Sequence, residues 1–497
     1  MKNDLPLSAA PLTRHSGQTL SEQLASQVAD RIRQRLLGPG ARLPSVRDAA
    51  RRHGVSPHTV VAAYDQLLAQ GLVEARKQRG FFVRGPQPDA STPRSRSSPA
   101  AGPGPQDPHT PRVAPIDATA LIRGMFQAGG GRPGPGLGTL PATWLDLPLL
   151  HGALRRVLAD DRHAGAAASS LLYGEPAGDR RLREALSVRL QDLGIPATPA
   201  SIVTAVGATH ALDLVSRTLL APGDAVLIDD PGWAVESARL SRQGLRLLPV
   251  PRDAEGPDLA VLEALAREHR PRLYVTVSVL HNPTGHTLGL HTAHRLLQLA
   301  QAHDFLIAED DTYAYLAPPH APRLSALDGL QRTVYVSGFS KILAPSWRVG
   351  YLAAPAGLVE RLIDAKMLST LTSPALLEQA VAVCLEQGLL RRHAEKVDAL
   401  LASARGRSVR LAESAGCRFI TPPQGLFGWV DTGVDTERLA LPLLDAGWLI
   451  APGSLFHAHR RPSTAMRINF ASSQDAAFWK AFTAARSTMK NAGSGPA

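Results

Sequence analysis

Between residues 86 and 115 the chain runs PQPDASTPRSRSSPAAGPGPQDPHTPRVAP, with nine prolines in 30 positions. Ser, Ala, Gly and Arg fill most of the rest. Such a segment cannot bury enough surface to offset the entropy of ordering it, so it reads as a semi-extended, polyproline-leaning tether. The tether divides the 497 residues into a small N-terminal module and a large C-terminal body. This fits the roughly three domains, or one small and one large, that such a length predicts. No internal repeat is visible. Since 44% of the residues are hydrophobic, global disorder is excluded.

Other classes fall away as quickly. No run of 18 apolar residues offers a transmembrane helix. The opening MKNDLPLSAAPLTRHSG lacks the apolar stretch of a signal peptide. Two cysteines, Cys384 and Cys417, are too few for a disulfide framework or a Cys-rich metal site, and no metal is expected. The expected compartment is the reducing cytosol. The net charge of +11 suggests a polyanionic partner, and its distribution is uneven. Residues 1–111 hold 15 Lys+Arg against 8 Asp+Glu, a net of +7; the other 386 hold 39 against 35, a net of +4.

Three helices are legible in the module. Thr19 and Glu22 form a capping-box pattern, followed by Leu24, Val28, Ile32 and Leu36 at intervals of four, and Gly38-Pro39-Gly40 ends the run. Ser45 with Asp48 opens a second helix, SVRDAARRHG, which stops at Gly54. Ser56 caps a third, with Pro57 in its first position and Val60, Tyr64, Leu67 and Leu68 on one face. The second and third helices, joined by a short turn, make a helix-turn-helix. LVEARKQRGFFVRG then predicts a hairpin with a basic tip, or wing. Capped helix starts approach a groove or phosphate, while Arg and Lys release counterions from a duplex backbone. The candidate DNA contacts are Ser45, Arg47, Ser56, His58, Thr59, Arg76, Lys77 and Arg79. Residues 17–85 resemble the winged helix-turn-helix of GntR-type regulators. One departure is Pro57, where many relatives carry Arg, so a base contact is lost.

From about residue 120 onward, apolar strands alternate with helical stretches: SIVTAVG, DAVLIDDP, RLYVTVSVLHNPTG, DFLIAEDD and RTVYVSGFSK. This alternation predicts an α/β body with a mainly parallel sheet, whose ligands belong at the C-terminal strand ends. Polar residues gather at those ends. Lys341 can form a Schiff base with an aldehyde, and Asp310, 31 residues earlier, can keep a pyridinium nitrogen protonated. Asn282, in HNPTG, offers an amide donor. Arg348 and the amides following Gly207 can hold a phosphate.

In order and spacing these residues resemble the fold-type-I, pyridoxal 5'-phosphate (PLP) dependent aminotransferases of class I/II, over residues 120–490. The resemblance implies a large PLP-transferase body with a smaller C-terminal α+β subdomain. It puts the internal aldimine on Lys341, the pyridine nitrogen at Asp310, and the phenolic oxygen at Asn282 and Tyr313. Trp233 would stack on the ring, Ala208, Thr209 and Arg348 would hold the phosphate, and Ser340 would belong to the cofactor site. Tyr173 would reach the phosphate of a neighbouring subunit, and Arg467 would clamp a substrate carboxylate. Two positions depart from the pattern: Gly338 stands where relatives often have a hydroxyl, and Trp233 where they often have Tyr.

A GntR-type reader (17–85), a linker (86–115) and such a body (120–490) together resemble the MocR subfamily of bacterial transcriptional regulators. That resemblance implies a head-to-tail homodimer on double-stranded DNA, with PLP or an amino compound forming an aldimine as effector. A working aminotransferase carrying a DNA-binding module is the alternative.

Overall fold

The computed structural model describes residues 12, 17–33, 37–38, 40–76, 79–84, 134–164 and 171–493. The tether, Leu36, Pro39, Lys77 and residues 120–133 of the expected body lie outside the described residues. The chain divides into two units, one holding the N-terminal module together with Glu437–Leu449, the other holding Pro133–Thr436 and Ile450–Ala497.

The module contains α1 (Leu20–Arg33), α2 (Val46–His53) and α3 (Pro57–Ala69), then the hairpin β1 (Val73–Arg76) and β2 (Gly80–Val83). Each helix starts where its sequence supplies a cap. The Thr19 amide donates to the Glu22 carboxylate at 2.8 Å and the Glu22 amide donates back to the Thr19 hydroxyl at 3.3 Å. Ser45 and Ser56 accept from the amides of Asp48 and Thr59, and Gly54 ends α2 in the left-handed conformation. One apolar cluster unites Leu24 and Val28 of α1, Ala49 of α2, Val60 and Leu67 of α3, and Val73 and Val83 of the hairpin. Tyr64 crosses this core, its hydroxyl donating to the Pro44 carbonyl at 3.0 Å and its ring meeting Phe81 edge-on.

The body is built on a seven-stranded sheet in the order β3-β9-β8-β7-β6-β4-β5. Its strands are β3 (Ile202–Ala205), β4 (Ala225–Asp230), β5 (Arg246–Pro251), β6 (Leu273–Thr276), β7 (Leu306–Asp310), β8 (Thr333–Gly338) and β9 (Gly350–Ala353). All five strands expected from the sequence are present. The expectation of a parallel sheet holds except at β9, which runs antiparallel to both β3 and β8. Alternate side chains leave the sheet on opposite faces. Val226, Ile228, Val275 and Ala308 join one core, and Leu227, Tyr274 and Ile307 join the other. Both faces are covered, which explains why these strands read as unbroken apolar runs. Each buried Val, Ile or Leu contributes about 1.5–3 kcal/mol relative to exposure.

A second sheet, ordered β10-β11-β13-β12, forms the smaller C-terminal part. It consists of β10 (Arg418–Phe419), β11 (Phe427–Asp431), β12 (Ala451–Pro452) and β13 (Ala465–Asn469), all pairing antiparallel. Among the described residues, no helix is long and apolar enough to cross a membrane.

Candidate functional site

The C-terminal ends of β4, β6, β7 and β8 deliver polar groups to one cleft. Asp310 is the last residue of β7, while Lys341 follows β8 by three residues. The Lys341 Nζ donates to the Gly138 carbonyl at 2.8 Å. Burial, helped by the nearby Arg467 charge and opposed by Asp310, lowers its pKa to about 8. About a tenth of this amine is therefore an unprotonated nucleophile at pH 7, far more than for an ordinary lysine. Asp310 accepts from the Thr312 amide at 3.1 Å and from the Thr312 hydroxyl. Burial raises its pKa to about 6, leaving a carboxylate that gains from any cation brought to it.

Asn282 and Tyr313 meet above β7, the amide nitrogen donating to the phenolic oxygen at 3.4 Å. Burial keeps the Tyr313 hydroxyl protonated far above its ordinary range. The Asn282 carbonyl oxygen faces the other way and accepts from Arg467 Nη1 at 2.9 Å. Arg467, on β13, is 3% exposed. Its Nη2 donates to the Gly136 carbonyl at 2.7 Å, and its plane lies 4.4 Å from the Phe427 ring. Its Nε is buried with no hydrogen-bond partner among the described residues. Burial lowers its pKa to about 10, so it stays cationic at neutral pH. A buried cation with an unused donor marks a place where a ligand anion belongs. Trp233 caps helix Ala234–Arg242 and lines a pocket with Asp310 and His281.

A separate cradle forms where β3 passes into helix Ala208–Leu219. Gly207 caps that helix at φ 83° with no side-chain hydrogen bond, so the amides of Ala208 and Thr209 head it uncapped. A Cβ at Gly207 would fall 2.3 Å from Arg348 Nη2, so glycine is required for the close approach of that guanidinium. Arg348 also donates to the Ser340 hydroxyl at 3.0 Å and to the Val206 carbonyl at 3.1 Å. A helix start without a cap beside an arginine and a serine is a phosphate-shaped donor set. Gly338 abuts this turn: a Cβ there would lie 3.4 Å from the Ala208 amide nitrogen. Tyr173 is 84% exposed.

Two sets of participants were missed in the sequence. The strip Gly134–Leu140 crosses the cleft and supplies the carbonyls that meet Lys341 and Arg467. It is pinned by Asn469, whose amide donates to Leu137 and Thr139 carbonyls at 3.0 and 2.8 Å. Its glycine pattern was the available signal, since a Cβ at Gly136 would strike the backbone at Ile450. Behind Asp310, Asp229 takes hydrogen bonds from Tyr274 and Thr276 and pairs with Arg252 at 3.2 Å and His281 at 3.4 Å. Burial alone would raise the Asp229 pKa, but Arg252 and His281 hold it well below the usual range. Burial and Arg252 push His281 down to about 4.

On the module, Arg47, His58 and Arg79 are exposed. The Ser45 and Ser56 hydroxyls are engaged inside their own helix turns, Ser45 donating to Asp48 at 2.7 Å. Arg76 pairs with Glu74 at 2.7 Å and lies over Phe82, so its charge is partly spent within the hairpin. Lys77 is outside the described residues.

Residues 146–483 match the family Aminotransferase class I and II, and residues 20–83 match Bacterial regulatory proteins, gntR family. The HTH-type transcriptional regulator TauR of Rhodobacter capsulatus is 31% identical over 459 residues, covering 88% of this chain and 90% of its own. The probable rhizopine catabolism regulatory protein MocR of Rhizobium meliloti is 29% identical across 79% of this chain and 76% of its own. Among solved structures, the α-aminoadipate aminotransferase LysN from Thermus thermophilus, complexed with N-(5'-phosphopyridoxyl)-L-leucine, aligns with a TM-score of 0.68. It is 25% identical over 75% of this chain and 95% of that one.

Proposed function

The chain belongs to the aminotransferase class I and II family and, through its gntR-family reader, to the MocR-type regulators of transcription, and from that premise we propose that it senses an amino compound at a PLP site and reports the result to DNA. The observation that carries this reading is the coexistence, on one chain, of a basic winged reader with a cleft where Lys341, Asp310 and Arg467 converge.

PLP supplies an aldehyde that condenses with amines and a ring that accepts electrons. Lys341 would hold it covalently through Nζ, and Asp310 would partner the ring nitrogen. Asn282 and Tyr313 would bond the phenolic oxygen, and Trp233 would stack on the ring. Ala208, Thr209, Ser340 and Arg348 would take the phosphate, for which the uncapped helix start is the support. Arg467 would clamp the carboxylate of an incoming amino compound, the effector, beside the amine of Lys341. Ser45, Arg47, Ser56, His58, Thr59, Arg76, Lys77 and Arg79 form the duplex face. Ser45 and Ser56 act there by fixing the helix starts.

Two chains associate head to tail, with Tyr173 completing the neighbour's phosphate site. Support comes from an apolar surface beside Tyr173: Leu171, Leu172, Leu368 and Leu371 are all exposed. Gly174 brings the two segments together, since its Cβ would sit 3.1 Å from the Ser373 carbonyl.

The cofactor part is tested by absorption spectroscopy: the purified chain shows a visible band that borohydride abolishes, and its absence after incubation with PLP refutes the assignment. The regulatory part is tested by duplex binding, with DNA from upstream of its own coding region bound more tightly than random duplex at moderate salt. The alternative, an active aminotransferase, is favoured by the carboxylate clamp retained beside Lys341. Steady turnover of an amino donor and a keto acid at ordinary enzyme rates would establish it.

A further inference from the structure

The unit that contains the reader also contains Glu437–Leu449, a segment distant from it in sequence. Within that unit one carboxylate joins two reader helices. Asp445 accepts from Arg31 of α1 at 2.6 Å through one oxygen and from Arg52 of α2 at 3.0 Å through the other. The Arg31 and Asp445 side chains are 15% and 27% exposed, so this bridge is less screened than an ordinary surface pair. Asp445 is also the last residue of helix Thr436–Asp445, where the helix dipole disfavours a negative charge. The two guanidiniums give an acid in that position its physical reason.

The segment's place in the chain gives the bridge a consequence. It is spliced between β11 and β12, and β13 lies between those two strands. Arg467 of β13 is paired directly with Trp429 on one side and Ala451 on the other. The strands entering and leaving the segment are thus the two that frame the clamp. At the other end, Arg52 belongs to α2, whose first turn carries Ser45 and Arg47 of the duplex face.

We propose that Asp445 is the anchor through which the state of the Arg467 site reaches the reader, by seating α1 and α2 through Arg31 and Arg52. This rests on the regulatory reading above. Cofactor loading, felt by Arg467 through the Asn282 it is bonded to, biases the strands that frame Arg467, and the anchor converts that bias into a preferred seat for α2. Asp445 is a positioning residue and touches neither DNA nor cofactor.

The test uses the full chain carrying Asp445→Asn, which keeps size and removes charge. Two readouts are taken: hydrogen exchange of α1 and α2 amides, and the ratio of duplex affinities between PLP-loaded and PLP-stripped protein. The expected result is several-fold faster exchange in α1 and α2 and a PLP-dependent affinity ratio that collapses several-fold toward one, with the visible cofactor band unchanged. Adding Arg31→Gln has no further effect, and Asp445→Glu retains most of the response. Unchanged exchange overturns the anchor; faster exchange with an intact affinity ratio overturns its role in coupling. If the wild-type ratio is itself one, the regulatory reading and the coupling both fail, and hydrogen exchange still decides the anchor. Should Asp445→Asn lose the band through misfolding, Arg52→Gln, at an arm 46% exposed, carries the same two readouts.

Discussion

The reader and the Gly207 cradle of the body treat the start of a helix in opposite ways, although other body helices, such as Leu259–His269 under Asp258, are capped by a side chain. In the reader, Ser45 and Ser56 close α2 and α3 with their own side chains. In the body, helix Ala208–Leu219 begins at a glycine with no side-chain cap, and an arginine lies against that glycine. A capped start is complete in itself and presents a rigid end to a large, extended partner. An uncapped start leaves its first amides to water or to an anion, and beside Arg348 and Ser340 an anion is the better partner. The difference separates a module built to hold its shape from a site built to be filled.

The sharpest way to break this contrast is Lys341→Ala. It is expected to abolish covalent cofactor altogether, read as loss of the visible band and of borohydride-fixed label. Duplex affinity of the PLP-stripped chain should stay within about twofold, because reader contacts and phosphate electrostatics are unaltered. A reader that fails with it would mean the two regions are not separable.

Gly207→Ala comes next. The added Cβ collides with Arg348 and forces a strained φ, so PLP affinity should fall by roughly a hundredfold, about 2.7 kcal/mol. Equilibrium PLP titration checks it, and a drop below threefold would remove the cradle from the account.

A pH series sharpens the comparison from the body's side. Lys341 falls from an ordinary 10.5 to about 8 in the folded chain. Between those values the unfolded chain binds a proton that the folded chain does not, so folding stability rises with pH across that window. Below about 8 both forms are protonated and the burial penalty is felt in full. Urea unfolding of PLP-free protein from pH 7 to 10.5 should show the rise, and Lys341→Met should reduce it. Lys366, lowered to about 8 by burial, supplies a remainder. PLP uptake should likewise accelerate through about pH 8 and then level off.

The smallest effect belongs to the reader. Ser56→Ala removes the cap of α3 at a cost of about 1 kcal/mol. Duplex affinity should drop several-fold, measured by fluorescence anisotropy, with the cofactor band untouched.

What the sequence disclosed follows from the range of each signal. The caps at Thr19, Ser45 and Ser56 are patterns spanning four residues and were legible, as were five strands buried on both faces. The candidate residues at strand ends were legible as one group because order along the chain encodes their side of the sheet. Pairings over long separations were not. The Gly138 carbonyl that meets Lys341 lies 203 positions away, and Arg31 and Asp445 are 414 apart. The antiparallel β9 escaped because four residues, GYLA, carry no direction. The Asp229–Arg252–His281 group escaped because its members look like an ordinary turn, strand end and loop when read one at a time.

The central claim is that what happens at Lys341 is felt at the duplex. Titrating one upstream duplex with PLP-stripped, PLP-loaded and borohydride-reduced chain, each with and without a panel of amino acids, tests it directly. The account predicts different affinities for stripped and loaded protein, a further shift with at least one amino compound in the loaded form, and no such shift once reduction has locked Lys341 to the cofactor. Superimposable binding curves for all three forms would contradict it.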